Sequence, residues 1–269
     1  MNTETGSLVI SNHGLFLSVL LIAINIVISA SLRLGLTKSL IIASARMVIQ
    51  LLLVGLILKW LFQQDEPITI IFLGIIMATI AGTSTVNQTK KRFIGIYINS
   101  LITVMGSATL ITAFAITGIV KPDPWFTPQY LIPLLGMVLG NTINGMSLGL
   151  DALMEGLNNK KDLIETALAL GASRWEACQH TMRESIRVAM IPTINSMMLI
   201  GLVSLPGMMT GQILQGADPA MAVRYQIVIM FMIASSTAIG VVGVVILAWL
   251  RLTNTNHQLC LHRLKEIHE

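Results

Sequence analysis

The chain is dominated by near-continuous apolar runs, each about as long as the roughly 20 residues that a helix needs to cross a bilayer. Because these runs do not alternate between apolar and polar residues, they predict membrane-spanning helices and not the strands of a barrel. Composition agrees with this, since 54% of the residues are hydrophobic and only 11% are charged. Soluble domains usually carry about 25% charged residues. The sequence therefore predicts an all-α integral membrane protein and excludes a soluble enzyme.

The apolar runs predict about seven transmembrane helices. They cover residues 15–32, 40–62, 68–86, 93–120, 130–150, 188–214 and 225–250. Turn-forming residues separate several of them, as in Asp65-Glu66-Pro67 and in the proline-containing segments 121–124 and 216–219. We expect one permease domain over residues 1–269, with a long connection at about 151–187 and a basic tail at about 251–269.

Lysine and arginine predict the orientation, because cytoplasmic loops carry an excess of them. Thirteen of the seventeen lie in one set of alternate loops and in the tail, which predicts an external N-terminus and a cytoplasmic C-terminus. No positively charged segment precedes the first apolar run, so we expect an uncleaved span rather than a signal peptide. The basic residues are scattered along the chain, so the net charge of +4 does not predict nucleic-acid binding.

The connection at 151–187 has the local chemistry of two short helices joined by a sharp turn. We expect Asp162 to cap the first helix, with Glu165 reaching back to the free amides. Gly171 is expected to end that helix in a left-handed conformation, and Ser173 with Glu176 to open the next one as a capping box.

This helical pair is either an amphipathic hairpin on the bilayer surface or a docking element for a soluble partner. The residues at the turn are small and leave room for a partner: Ala167, Gly171, Ala172 and Ser173. Trp175 adds a rigid aromatic side chain of the kind enriched at interface hot spots.

Residues 165–175 (ETALALGASRW) resemble the coupling helix of ABC-transporter permeases, with Thr166 in place of one alanine of the Glu-Ala-Ala triplet. Residues 201–211 (GLVSLPGMMTG), followed by 216–219 and 224–227, are similar to the Fet-type (FetB) iron-export permease family of ABC transporters. Arg46 with Gln50, and residues 191–193, fit the same resemblance, which covers about 46–231. It implies a bacterial inner-membrane permease that couples through the Glu165–Trp175 segment to a separate ATPase, as two copies of each.

Two groups of polar or flexible residues in the predicted spans are candidates for a translocation pathway or gate. Arg46 lies at a depth of roughly 10 Å, with Gln50 one turn further on the same face. They either line the pathway, or Arg46 reaches back to lipid headgroups while Gln50 packs against a helix. The second group shares helices with closely spaced glycines, which indicate either close helix packing or a flexible gate. It comprises Asn141, Asn144, Pro206, Gly207, Met208, Met209 and Gly211.

The sequence leaves the metal ligands unknown, because none of the thirteen acidic residues falls in the middle of a predicted span. The sixteen methionines would favour soft ions, although most are expected to fill the core. No phosphate-binding glycine loop followed by lysine occurs, so we expect no cofactor on this chain and ATP on its partner.

We expect a permease subunit and not an enzyme, and the family resemblance implies that it exports iron, another metal ion or a metal complex. An ion-coupled secondary transporter and a scaffold without a pathway are the alternatives, and the first would need a mid-membrane carboxylate.

Overall fold

The computed structural model describes residues 12–63, 66–254 and 258–266. Asp65 of a predicted turn lies outside these residues, as do positions 255–257 and 267–269 of the predicted tail. The chain forms two compact units, one of Met1–Asp65 with Gly211–Ala217, the other of Glu66–Thr210 with Asp218–Glu269.

The first unit contains helices α1 (Asn12–Ser31) and α2 (Thr37–Leu61). A short turn joins them, and the Thr37 hydroxyl donates a hydrogen bond of 3.1 Å to the Ser29 hydroxyl. This bond ties the start of α2 to the end of α1.

The second unit is built around α5 and begins with α3. Its elements in chain order are α3 (Pro67–Asn87), β1 (Lys91–Arg92), α4 (Ile96–Phe114) with a π-helical extension (Ala115–Val120), α5 (Pro128–Asn159), α6 (Lys161–Ala169), α7 (Arg174–Leu199), α8 (Gly207–Leu214), α9 (Pro219–Leu252), a 3-10 turn (Leu261–Arg263) and β2 (Lys265–Glu266). The last residues of α8 belong to the first unit. Helix α5 packs against α3, α4, α7 and α9.

Small residues let these helices approach closely. A Cβ atom on Gly145 of α5 would lie 2.5 Å from Cγ2 of Thr237 on α9, and one on Gly149 would lie 3.3 Å from Cβ of Ala189 on α7. The close helix packing that closely spaced glycines indicate is therefore present at these two positions. It is absent at Gly140, where a Cβ would meet open space.

Five helices of the described residues are long and apolar enough to cross a bilayer: Thr37–Leu61, Pro67–Asn87, Ile96–Val120, Pro128–Asn159 and Pro219–Leu252. The apolar part of α1, Leu17–Ser31, is shorter. These helices agree with the predicted all-α, multi-pass membrane protein. The count of seven spans and the orientation stay predictions.

The prediction of one continuous helix over residues 188–214 is wrong. Helix α7 ends at Leu199, and a hydrogen-bonded turn precedes α8. Gly201 adopts φ +83°, a conformation that glycine takes without a steric penalty. Its N–H donates to the carbonyl of Ser204 at 3.0 Å, and the N–H of Val203 donates to that of Leu199 at 3.0 Å. The apolar composition of the run concealed this turn.

The described part of the tail packs against other elements of the second unit. Strand β2 pairs antiparallel with β1, with Arg92 opposite Lys265 in the backbone register. The N–H of Cys260 also donates to the carbonyl of Leu252 at 2.8 Å, where α9 ends. The tail is therefore attached to the unit at the end of α9 and at the segment that follows α3.

Candidate coupling elbow and transport route

The elbow, defined as residues 160–176, contains Lys160, α6, a sharp turn and the first turn of α7. Two hydrogen bonds close α6: the N–H of Gly171 donates to the carbonyl of Leu168, and that of Ala172 donates to that of Ala167, both at 3.0 Å. Gly171 has φ +93°, so this is the Schellman arrangement that a glycine makes possible. The predicted left-handed end of the helix is confirmed.

A reciprocal capping box starts α7 beyond this turn. The Ser173 hydroxyl accepts from the N–H of Glu176 at 3.3 Å, and the Glu176 carboxylate accepts from the N–H of Ser173 at 2.8 Å. The Ser173 hydroxyl also donates to this carboxylate at 2.7 Å. These bonds from Ser173 favour the charged carboxylate, so they lower the pKa of Glu176 below its ordinary value. The predicted capping box is confirmed.

The cap predicted for α6 is wrong. Lys160 is the residue before the helix, it makes no side-chain cap, and Asp162 lies inside the first turn. Glu165 faces Lys161 at 3.8 Å instead of reaching back to the free amides. Only Lys160 separates the end of α5 from the start of α6. Asp162 is therefore already helical and lacks the extended backbone with which a capping residue places its side chain over the free amides of the helix.

An apolar surface at the turn is exposed. Leu170 is 84% exposed, and a Cβ on Gly171 would meet open space. Trp175 is 45% exposed while its other side contacts Trp249, with ring centroids 5.4 Å apart in an edge-to-face arrangement. Ile164 is buried and holds α6 against the unit. The elbow is thus anchored on one side and open at its tip.

An ion pair joins the elbow to the middle of α7. The Lys160 ammonium donates to the Glu184 carboxylate at 2.6 Å, and Nδ1 of His180 lies 3.9 Å from the same carboxylate. The hydrogen bond and charge of Lys160 lower the pKa of Glu184. Because both side chains are partly exposed, the pair positions the chain more than it stabilises the fold.

Three cavities follow one another along α7. The elbow cavity, about 310 Å³, is lined by Glu155, Asn159, Lys160, Thr181, Glu184 and Ser185, among others. The middle cavity, about 70 Å³, is lined by Asn141, Asn144, Ala189, Thr193, Ser196 and Met230, among others. The Met cleft, about 420 Å³, is lined by Met197, Pro206, Met209, Gln226, Met230 and Phe231, among others.

A single face of α7 contributes to all three cavities. Its lining residues recur every three or four positions, which is the spacing of one helical face. They are Thr181, Glu184, Ser185, Val188, Ala189, Pro192, Thr193, Ser196 and Met197, with Ile200 at the end of the helix. Met230 lies on the wall shared by the middle cavity and the Met cleft. The cavities therefore form a row that begins near the elbow.

The structure places four of the predicted pathway residues beside these cavities. Asn141 and Asn144 line the middle cavity, and Pro206 and Met209 line the Met cleft. Gly207, Met208 and Gly211 lie on α8 but line none of the three cavities. Their predicted role in a gate stays a prediction.

Arg46 and Gln50 lie on α2 of the first unit, where both side chains are exposed. Their positions one turn apart agree with the shared face predicted for them. Their predicted place on the pathway stays a prediction.

Sequence reasoning did not predict the α7 face, the Lys160–Glu184 pair or Gln226 as a lining residue. The face had a readable signal, because Thr181, Ser185, Thr193 and Ser196 repeat at helical spacing. The cavities themselves depend on how α7 sits against α5 and α9, which no local pattern specifies.

These features define the chain as a multi-pass, α-helical membrane protein with an exposed elbow and a row of cavities along one helix. The model of the family described as "Uncharacterised protein family (UPF0014)" matches residues 12–252, and the chain belongs to this family. No solved structure matches the chain.

Three curated proteins are similar to the chain over most of its length. The chain is 38% identical over 226 residues to a UPF0014 membrane protein of Synechocystis, covering 84% of this chain and 87% of the relative. It is 31% identical over 258 residues to the probable iron export permease protein FetB of Escherichia coli, covering 96% and 98%. It is 30% identical over 245 residues to the protein ALUMINUM SENSITIVE 3 of Arabidopsis thaliana, covering 91% and 88%.

Proposed function

We propose that the chain is the membrane permease subunit of an ATP-driven ABC transporter that exports iron, another metal ion or a metal complex. In this proposal two copies form the transport unit in a bacterial inner membrane, and each elbow binds a separate ATPase subunit at the cytoplasmic face. ATP binds only to the ATPase subunits.

The observation that carries this proposal is that α7 belongs both to the elbow and to the walls of the three cavities. The helix starts in the elbow at Arg174 and runs for 26 residues to Leu199, about 39 Å at a rise of 1.5 Å per residue. One face of it lines all three cavities. A force applied at the elbow would therefore act on a helix that borders the whole row.

The anchoring of the elbow supports transmission of such a force. The Ser173–Glu176 capping box fixes the start of α7. The Lys160–Glu184 ion pair connects the residue before α6 to the middle of α7, and the side chain of Ile164 on α6 is buried. With these attachments the elbow and α7 are expected to move together when a partner pushes on the tip.

The exposed tip supports a protein partner. Leu170 leaves most of its apolar surface uncovered, and in water this costs hydrophobic free energy unless a partner covers it. Trp175 presents part of a rigid ring next to it, and aromatic rings of this kind are frequent at interface hot spots. An ATPase groove would cover both.

The names of relatives support the cargo. FetB of Escherichia coli is named a probable iron export permease, and the protein of Arabidopsis thaliana is named for aluminium sensitivity. Both names concern metal ions, so we extend a metal cargo to this chain.

The test is co-purification after co-expression with each ABC ATPase of the source organism that lacks a membrane domain of its own. We expect one of them to co-purify with the chain, and Leu170→Arg to abolish this association. The matched control is His180→Arg, which introduces the same residue at another exposed position, beside Glu184. Normal association of the Leu170→Arg variant would refute docking through the elbow.

A further inference from the structure

The Met cleft is the largest of the three cavities and lies where α7 ends. Its wall is mostly apolar, but it contains three thioethers, from Met197, Met209 and Met230, and one amide, from Gln226. The volume of about 420 Å³ lies within the range of ligand-binding cavities.

The turn between α7 and α8 brings the first two methionines to one cleft. Met197 lies in the last turn of α7, and the chain then reverses through the hydrogen-bonded residues 199–204. The N–H of Thr210 donates to the carbonyl of Pro206 at 2.9 Å, which starts α8 and places Met209 in its first turn. A continuous helix over 188–214 would have set these two side chains three turns apart.

Gln226 of α9 places one amide in the otherwise apolar wall of the cleft. The residue is 6% exposed. Met230 follows Gln226 by one helical turn on α9, so the amide and the thioether face the same cleft.

The donor atoms of the cleft indicate which metal ions it could bind. Thioether sulfur is a soft, uncharged donor that selects Cu(I)-type ions, whereas Fe, Al and other harder ions prefer carboxylate, imidazole or water. No group of three histidine, cysteine, aspartate or glutamate side chains that could hold a metal occurs in residues 12–63, 66–254 and 258–266. Neutral donors also suit a monovalent ion, since a single charge costs less to remove from water than two or three.

We propose that the Met cleft is a cargo site for a soft monovalent metal ion of the Cu(I) and Ag(I) class. The thioethers of Met197, Met209 and Met230 bind the ion, and the amide oxygen of Gln226 supplies a further contact. This inference rests on the proposed transport of metal and narrows its substrate class.

The position of Met230 connects this site with the rest of the row. Because its side chain also lines the middle cavity, an ion can pass from the Met cleft towards Asn141 and Asn144 with one sulfur ligand retained. The amide oxygens of these asparagines are neutral donors as well. The type of donor atom thus changes from sulfur in the Met cleft to oxygen in the middle cavity.

The test is titration of the purified chain, without any ATPase, with silver nitrate in a thiol-free detergent buffer. The triple variant Met197→Leu, Met209→Leu, Met230→Leu removes the three sulfurs while keeping apolar side chains of similar size. We expect it to lose one Ag(I) equivalent relative to the unaltered chain. Cys178 and Cys260 remain in every variant, so their contribution cancels.

The matched control replaces three methionines that pack against the core and line none of the three cavities: Met77, Met105 and Met137. Their leucine variants are expected to keep the full Ag(I) stoichiometry. We further expect Gln226→Leu to weaken binding by about tenfold, since the loss of even an outer partner at a metal site typically costs about 10–100-fold. Excess Fe(II) is expected not to displace the Ag(I).

Retention of stoichiometry and affinity in the cleft triple variant would overturn the proposal, as would displacement of the ion by Fe(II). If the triple variant does not fold, Met209→Leu alone is measured, because this residue lies in the short α8. It is expected to weaken binding by about tenfold, and unchanged binding would again overturn the proposal. Since no ATPase is present, a negative result leaves the coupling function standing, and loss of ATPase association leaves this site standing.

Discussion

The Lys160 ammonium lies 2.6 Å from the Glu184 carboxylate, so the residue that joins α5 to α6 is paired with the middle of α7. The pair closes a path of contacts from the elbow back to the helix that borders the cavities. Two other contacts hold the same segment, the Ser173–Glu176 box and buried Ile164. The elbow is therefore attached to α7 at more than one point.

Breaking this ion pair should loosen the elbow without unfolding the protein. We expect Lys160→Met to leave global stability nearly unchanged, because partly exposed pairs contribute little. The backbone amides of α6 should nevertheless exchange hydrogen faster. Hydrogen exchange followed by mass spectrometry measures both. Lys161→Met, which removes the looser 3.8 Å contact within α6, is the control and should leave exchange nearly unchanged.

The capping box should respond to acid. The pKa of Glu176 is lowered in the folded protein, so its carboxylate contributes stability above its ordinary pKa of 4.5, and this contribution is lost as the pH falls through the lower folded value. We expect the first turn of α7 to open progressively below pH 4.5 in the unaltered chain.

Ser173→Ala removes the hydroxyl that donates to that carboxylate and keeps the backbone N–H that also donates to it. It should weaken the start of α7 by about 0.5–2 kcal/mol at neutral pH and flatten the response to acid. Amide protection over residues 174–178, measured from neutral to acidic pH, distinguishes the two proteins. An equally steep acid response in both would show that Glu176 acts through another partner.

Glycines on α5 should differ in their tolerance of a methyl group. Gly145→Ala would place a Cβ 2.5 Å from Cγ2 of Thr237, so we expect a loss of about 1–3 kcal/mol from overpacking. Gly140→Ala meets open space and should be neutral or stabilising, since alanine is the better helix former. Thermal unfolding of the two variants in the same detergent provides the comparison, and similar midpoints would contradict the packing described for Gly145.

A cysteine at the tip of the elbow tests the orientation. Both native cysteines are buried, and burial raises the pKa of the Cys178 thiol, which keeps it protonated and unreactive at neutral pH. Leu170→Cys should therefore provide the only fast-reacting thiol among the described residues. A membrane-impermeant maleimide is expected to label it in inside-out vesicles and not in right-side-out vesicles. The reverse pattern would exclude a cytoplasmic elbow.

Local chemistry predicted the features that neighbouring residues determine. Gly171 ends α6 and Ser173 with Glu176 begins α7, because these signals act over three or four residues. Asp162 fails as a cap since its position depends on how α5 leads into α6. The apolar runs likewise correctly predicted that the chain forms long apolar helices able to cross a membrane, because length and hydropathy are local properties.

Features that depend on tertiary packing could not be predicted. The turn at Gly201 lies inside a run whose hydropathy resembles that of a continuous span. Gln226 is one polar residue in a long apolar helix, and only the arrangement of α7, α8 and α9 shows that it lines a cavity. Among the predicted pathway residues, Asn144 lines the middle cavity, whereas Gly207 lines none of the three.

The most direct test of the account is the labelling rate of Asn144→Cys, in the middle cavity, in vesicles that contain the chain and its ATPase. We predict that ATP changes this rate severalfold, and that Leu170→Arg at the tip of the elbow abolishes the change while leaving the rate without ATP unaltered. An identical labelling rate with and without ATP, in the presence of an active ATPase, would contradict the claim that movement of the elbow changes the cavities along α7.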